Sequence, residues 1–459
     1  MASSNPLSGL LPDFGIRQLS EAELEGRDPG LDATNFAAGV ALCPKSLEDV
    51  TSIVTWCAKS QTPIVTQGGR TGLAGGSASV PGQLVVMMEH MNTIRNIDAD
   101  SGVAIVDAGV TLTQLEDAVS VFGLTVGIDL AARGTCTIGG MVATNAGGGE
   151  AFRNGVMRQR VLGLEVVLPD GAVMNDLKKV IKVNEGYDMK QMFIGSEGTL
   201  GIVTGVVLKL EKATGIRQTV LASTQNAADA LSYFRRLRDA LGANLLSAEI
   251  MWRNYFATTS RELGFEGQFG HLHGETYLVV DAYVPQDDDR LLEALGESLE
   301  AGEISDAVIA KNEQERSEIW LVREESFLID KAYPGGCWFD ISIPLNELDS
   351  FVKDSITRIH AIDPELKVFV MGHLGDGNLH YTVAKDVSVE HLYSDIAAAL
   401  YTGLTEIGGS FSAEHGIGTE KQTSMGKFAD PAKLSLMRAI KAAIDPMNIM
   451  NPGKVLPPP

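Results

Sequence analysis

The stretch "PIVTQGGRTGLAGG", residues 63–76, decides the fold. Ile64, Val65 and Thr66 are β-branched and make a short buried strand. That strand runs directly into a loop with five glycines in nine residues. Peptide N–H groups can close on a phosphate only where no Cβ intervenes, so Gly68, Gly69, Arg70, Thr71 and Gly72 form a candidate pyrophosphate cradle. The loop lacks the GxxxxGK[ST] pattern of a nucleoside triphosphatase. It also lacks the GxGxxG fingerprint of a nicotinamide site. A second glycine-rich stretch, "GTCTIGGMVATNAGGG", follows at 134–149. Either loop alone also reads as a pair of tight structural turns. Together they point to a bound cofactor.

A chain of 459 residues is too long for one core, and 44% hydrophobic content is that of a packed globular protein with two or three domains. A formal charge of −22 argues against nucleic acid and anionic membrane surfaces as partners, since both require a basic patch. Cys43, Cys57, Cys136 and Cys337 are scattered without a CxxC pair, which reads as reduced, buried thiols. The opening "MASSNPLSGLLPDFGIRQ" has neither an apolar leader core nor an Arg-rich presequence, and no apolar window is long enough to span a bilayer. The expected location is the cytoplasm.

Along the chain, Ser46 and Asp49 bracket the start of a helix over 46–60 as a capping box. "PIVTQ", "LVVMM" and "VAIVDAG" read as strands, and "TLTQLEDAVSVFG" as a helix ending at Gly123. After "GIVTGVVLKL" the texture changes: helices near 224–241 and 288–301, and a strand "TYLVVDAYV". The expected organisation is a first domain over 1–212, a second α+β domain over 213–410, and a segment 411–459 returning to the first.

"MGHLGDGNLHY", residues 371–381, places two of the eight histidines either side of Asp376-Gly377. A two-residue Asp-Gly turn would pair His373 with His380 on one sheet face, near enough for both imidazoles to reach one metal ion. The hairpin alone is equally compatible with a hydrogen-bonded histidine pair. "HLHGE" (271–275) offers a further His pair, better read as an ordinary strand or loop feature.

The motifs "PIVTQGGRTGLAGG", "TIGGMVATNAGG" and "GSEGTLGIVTGVVLKL" resemble the FAD-binding domain of the vanillyl-alcohol-oxidase type. "GHLGDGNLH", "AEHGIG" and "NPGK" resemble the C-terminal domain of the D-lactate dehydrogenases, D-2-hydroxyglutarate dehydrogenases and the glycolate oxidase flavoprotein subunit. The resemblance covers nearly the whole chain. It implies an α+β fold: a two-part FAD-binding domain and an α+β substrate (cap) domain with an antiparallel sheet. It assigns cofactor contacts to Gly68, Gly69, Arg70, Thr71, Gly72, Gly75, Thr137, Gly140, Thr144, Asn145, Gly147, Ile202 and Asn451. The FAD is expected to be non-covalent, because the first loop has no histidine to carry it. His373, His380 and Glu414 are implied ligands of a divalent ion, zinc first, with manganese, cobalt or iron also compatible. His415 is the implied general base, and Arg323 the implied partner of the substrate carboxylate.

The resemblance implies oxidation of a D-2-hydroxy acid, with hydride passing to the flavin and onward to an external acceptor. An electron-transfer flavoprotein, a cytochrome or a peripherally met quinone would serve, and a homodimer is compatible. In the tail pocket the chain departs from hydroxyglutarate dehydrogenases. Phe327 stands where they carry threonine, Trp338 where they carry lysine, and Thr382 where they carry asparagine; Asn378 completes this candidate pocket. A second carboxylate against two aromatic rings lacks a partner, which favours a monocarboxylic D-2-hydroxy acid with an apolar or aromatic tail, of the D-lactate or D-mandelate type. Hydroxyglutarate is the alternative, with Lys331 as a substitute cation. A metal-dependent hydrolase would use the same His/His/Glu set but leaves the glycine loops without a task.

Overall fold

The computed structural model describes residue 7 and residues 9–213, 215–285 and 288–458. The chain divides into two units. One comprises Met1–Gly147, Asn154–Ala213 and His415–Pro459; the other comprises Gly148–Arg153 and Thr214–Glu414. The change-over thus falls after Glu414 rather than at 410, which puts all three expected metal ligands in the second unit. The hexapeptide 148–153 also belongs there, an excursion that no shift in composition announces.

The first unit has two main sheets. In one, Ala41–Cys43, Leu84–Met87 and Ile64–Gln67 run parallel, with Arg17–Leu19 antiparallel at the edge. The other is antiparallel, in the order Ile94–Asp98, Val103–Asp107, Ile202–Lys209, Val161–Val167, Val173–Asp176. The helix Leu47–Ser60 buries Val50, Ile53, Val54 and Cys57, the i, i+3, i+4, i+7 stripe its sequence carries. Ser46 caps it through Asp49 N, but the expected reciprocal half of the box is missing, because the Asp49 carboxylate accepts from Lys45 N instead. Ile64 is bridged on its free side by Met450, so the C-terminal segment lies beside the strand that feeds the first glycine loop.

The second unit is built on a seven-stranded antiparallel sheet. Its order is Asp306–Ile309, Ile216–Thr224, Thr276–Val284, Leu245–Trp252, Lys367–His373, Asn378–Ala384, Cys337–Ser342. Side chains alternate between faces along each strand. On one face Leu221, Val279, Met251, Phe369 and Met371 pack against Tyr255, Phe256, Ile319 and Val322 of the helices Arg253–Glu262 and Glu313–Glu324. The polar residues of the site continue that same face. No helix of the described residues is long and apolar enough to cross a membrane.

Candidate active site

The first glycine loop fits a phosphate. The backbone N–H groups of Gly69 through Gly76 donate to no other group among the described residues. Arg70 adopts a left-handed φ of 57°, and its Nε is buried without a partner. A Cβ on Gly69 would lie 2.1 Å from Thr135 O, and one on Gly68 2.3 Å from Thr137 Oγ1, so only glycine lets the two loops approach. A Cβ on Gly75 would meet Thr419 Oγ1. Gly72 faces open space. A run of unpaired backbone donors in a glycine-rich loop matches the needs of a dinucleotide pyrophosphate.

Other expected cofactor residues have structural duties. Thr137 caps the helix Ile138–Thr144 by accepting from Gly140 N at 3.3 Å, and Thr144 Oγ1 donates to Gly140 O. Asn145 ends that helix at φ 55° and accepts from Arg158 N. Gly147 is the last residue before the excursion. Ile202 starts a strand with its side chain in the core, leaving its backbone for any contact. Asn451 donates from Nδ2 to Gly76 O and Glu197 O, while its Oδ1 is buried without a partner. That orphan acceptor, like Arg70 Nε, is what a buried cofactor edge would satisfy.

In the second unit, His373, His380 and Glu414 each offer a ligand atom, and these atoms lie within 4.8 Å of one another. His373 Nδ1 is 2.8 Å from the carboxylate of Glu249, which pairs with it across neighbouring strands. The arrangement turns Nε2 toward Glu414 Oε2, 3.6 Å away. His380 Nε2 is 4.0 Å from the same oxygen, and its Nδ1 is 3.6 Å from Asp340, its own cross-strand neighbour. The other Glu414 oxygen accepts from Gly148 N at 2.7 Å. Asp340 accepts the N–H groups of Ala413 and Glu414 at 2.9 Å and an Asn378 Nδ2 hydrogen at 2.8 Å. Each imidazole therefore has one nitrogen beside a buried carboxylate and the other toward Glu414, the usual setting of histidine ligands. Two nitrogens and one carboxylate oxygen fit a divalent ion with positions left for substrate.

The charges of the cluster hold one another. Burial alone would push the His373 imidazole down, but Glu249 and Glu414 outweigh it and hold the ring well above its ordinary range. Burial works to raise Glu414, yet His373 and His380 beside it keep its carboxyl low, at about 2.

One expectation needs correction. The hairpin does not close on a two-residue Asp376-Gly377 turn: His373 pairs with Asn378, and His380 with Met371. The loop is longer because its polar groups are taken elsewhere. Leu374 N donates to Ala248 O, Gly377 N to His373 O, and Ile343 N to Gly377 O. A shift of two residues preserves the face, so the imidazoles still meet diagonally, with ring centroids 5.5 Å apart. Arg323 is anchored in the sheet: its Nε and Nη2 lie 2.8 and 2.7 Å from Oε2 of Glu249, the residue that orients His373.

The tail residues do gather. Trp338 pairs with Thr382, which pairs with Phe369, one step along the face that carries Asp340 and His380. The Phe327 and Trp338 rings lie 5.4 Å apart. Lys331 is exposed on the helix Phe327–Ala332. Asn378 has a buried Oδ1 without a partner on the histidine face. His415 follows Glu414 directly and opens the segment that returns to the first unit.

Sequence reasoning missed Glu249, Asp340, Gly148 and Glu197. The available signal was a lone charge inside an apolar strand, "LLSAEIMW" and "CWFDIS", since a buried carboxylate must find partners.

Residues 216–455 match the family described as FAD linked oxidases, C-terminal domain, and residues 38–177 match the FAD binding domain family. The chain is 35% identical to the mitochondrial D-2-hydroxyglutarate dehydrogenase of Bos taurus, over 100% of this chain and 84% of that protein. It is 32% identical to the D-2-hydroxyglutarate dehydrogenase of Xanthomonas citri pv. viticola, over 95% and 93%. The structure of p-cresol methylhydroxylase superposes with a TM-score of 0.74 at 18% identity, covering 92% of this chain and 90% of that one, which shows a shared fold.

Proposed function

This chain belongs to the FAD-linked oxidases, among the FAD-dependent D-2-hydroxy-acid dehydrogenases, and from that premise we propose that it oxidises D-2-hydroxyglutarate or a close D-2-hydroxy acid to the 2-oxo acid at a metal-assisted site formed by His373, His380 and Glu414. The carrying observation is the convergence of those three side chains, each histidine backed by a buried carboxylate. A divalent ion held there would supply Lewis-acid stabilisation of the ionising hydroxyl. FAD, when bound against the two glycine loops, supplies the hydride acceptor. The chain's own tasks are then three. Glu249 and Asp340 hold the imidazoles in the ligating orientation. Arg323 keeps Glu249 ionised, because burial of that carboxylate is offset by His373 and Arg323 beside it. His415 takes the hydroxyl proton on an imidazole nitrogen.

For the tail, the relatives' names support D-2-hydroxyglutarate. A second reading rests on a specific observation: Phe327 and Trp338 form an aromatic pair beside Thr382, with no cation among them, which suits an apolar or aromatic tail. One experiment addresses both readings. The purified protein should show a flavin spectrum that bleaches anaerobically with a D-2-hydroxy acid and not with its L enantiomer, and the rates for D-2-hydroxyglutarate, D-lactate and D-mandelate rank the tails. A colourless protein, or a flavin that none of these acids reduces, would sink the proposal.

A further inference from the structure

We infer that Glu197 is a positioning residue for His415: its buried carboxylate holds the backbone that follows His415, as that of Asp340 holds the backbone that precedes it. The inference rests on the proposed role of His415 as proton acceptor. Glu197 Oε1 accepts from Ile417 N at 2.7 Å and Oε2 from Gly418 N at 2.8 Å. On the other side Asp340 Oδ2 accepts from Ala413 N and Glu414 N, both at 2.9 Å. The backbone on either side of His415 is thus tied down.

Glu197 is itself held in an unusual state. Its φ is 51°, left-handed for a residue with a side chain, between Gly195 at 80° and Gly198 at 72°. Glycine would relieve that strain but would supply no carboxylate. Its N–H donates to Ala143 O at 2.8 Å, and its carbonyl accepts from Asn451 Nδ2 at 2.7 Å. Gly416 passes so close that a Cβ there would lie 2.7 Å from Glu197 Oε1. Gly418 is held from a second side, where a Cβ would strike Ala74 O of the first glycine loop. The turn "GSEG" is therefore fixed by the second-loop helix and the C-terminal segment, and its carboxylate fixes the strand of chain that follows His415. A proton acceptor needs such placement, because misplacement by about 1 Å can cost on the order of 10²-fold in rate.

Glu197→Gln is the test, since it replaces one acceptor oxygen with an NH2 facing an N–H. The expected holoprotein keeps its flavin and its substrate affinity, while flavin reduction at saturating substrate slows by about 10- to 100-fold. Hydrogen exchange of the peptide containing Ile417 and Gly418 should accelerate. On a His415→Ala background the same change should slow reduction no further, because two residues acting through one imaginable step are non-additive. An unchanged reduction rate per bound flavin, or an equal slowing with and without His415, would overturn the inference. If His415→Ala alone leaves reduction untouched, the proton-acceptor reading falls, and the exchange measurement still reports separately on the clamp. Should the Gln variant not fold, the same cycle is read on Glu197→Asp, which keeps the charge but retracts it.

Discussion

Glu249 touches none of the reacting atoms in the proposed chemistry, yet it sets which nitrogen of His373 faces the ligand cluster. Its carboxylate lies between His373 Nδ1 and the Arg323 fork, fully enclosed in the sheet. Glu249→Gln should weaken metal binding by about 10- to 100-fold, read by competition with a chelator, with flavin content unchanged. Equal affinity in the variant would mean that His373 needs no orienting partner. Trp338→Lys addresses the tail. A cation placed beside Thr382 should move the kcat/KM ratio toward D-2-hydroxyglutarate over D-mandelate by about 1–3 kcal/mol. An unmoved ratio would place the tail away from the Phe327–Trp338 pair. At this scale the grouping of His373, His380 and Glu414 was legible, because they sit in the motifs "GHLGDGNLH" and "AEHGIG". Glu249 and Asp340 were not, because strand register alone brings them beside the histidines, over 124 residues of chain in the case of Glu249.

Elements with a strong local code formed where their sequence places them: the helix Leu47–Ser60 with its Ser46 cap, and the strand Thr276–Val284. The hairpin did not, and the reason is instructive. Asp-Gly favours a two-residue turn only when the loop's backbone groups are otherwise free. Here Ala248 O on a neighbouring strand accepts from Leu374 N, Ile343 N just past the end of another donates to Gly377 O, and the loop opens to four residues. Gly377 is the fixed point, at φ 78° with Ile343 O 2.0 Å from where a Cβ would sit. Gly377→Ala should cost about 1–3 kcal/mol of stability, seen as a lower Tm, and should loosen the hairpin that carries His373 and His380. A variant with unchanged Tm would show that the loop can relax without the neighbouring strands.

On the scale of the whole molecule, the cysteines report on packing. All four are free and buried, and burial pushes Cys57 up to about 12 and Cys43, Cys136 and Cys337 up to about 11. Thiol reagents near neutral pH should therefore label none of them in the native protein and all of them after unfolding. Rapid labelling of a native thiol would reveal local opening in the unit that holds it. What composition could not reveal is the excursion Gly148–Arg153, which leaves one unit to place Gly148 N on Glu414 and to bring Gly149 within a Cβ's reach of Glu249. The metal-assisted site itself is tested most directly by stopped-flow anaerobic reduction of the bound flavin before and after chelation, with metal content measured on the same samples. The expected result is a metal-free protein that keeps its flavin spectrum, is not bleached by D-2-hydroxyglutarate or D-mandelate, and regains bleaching when Zn2+, Mn2+ or Co2+ is added back. Bleaching at the full rate after verified metal loss would contradict a metal role for His373, His380 and Glu414.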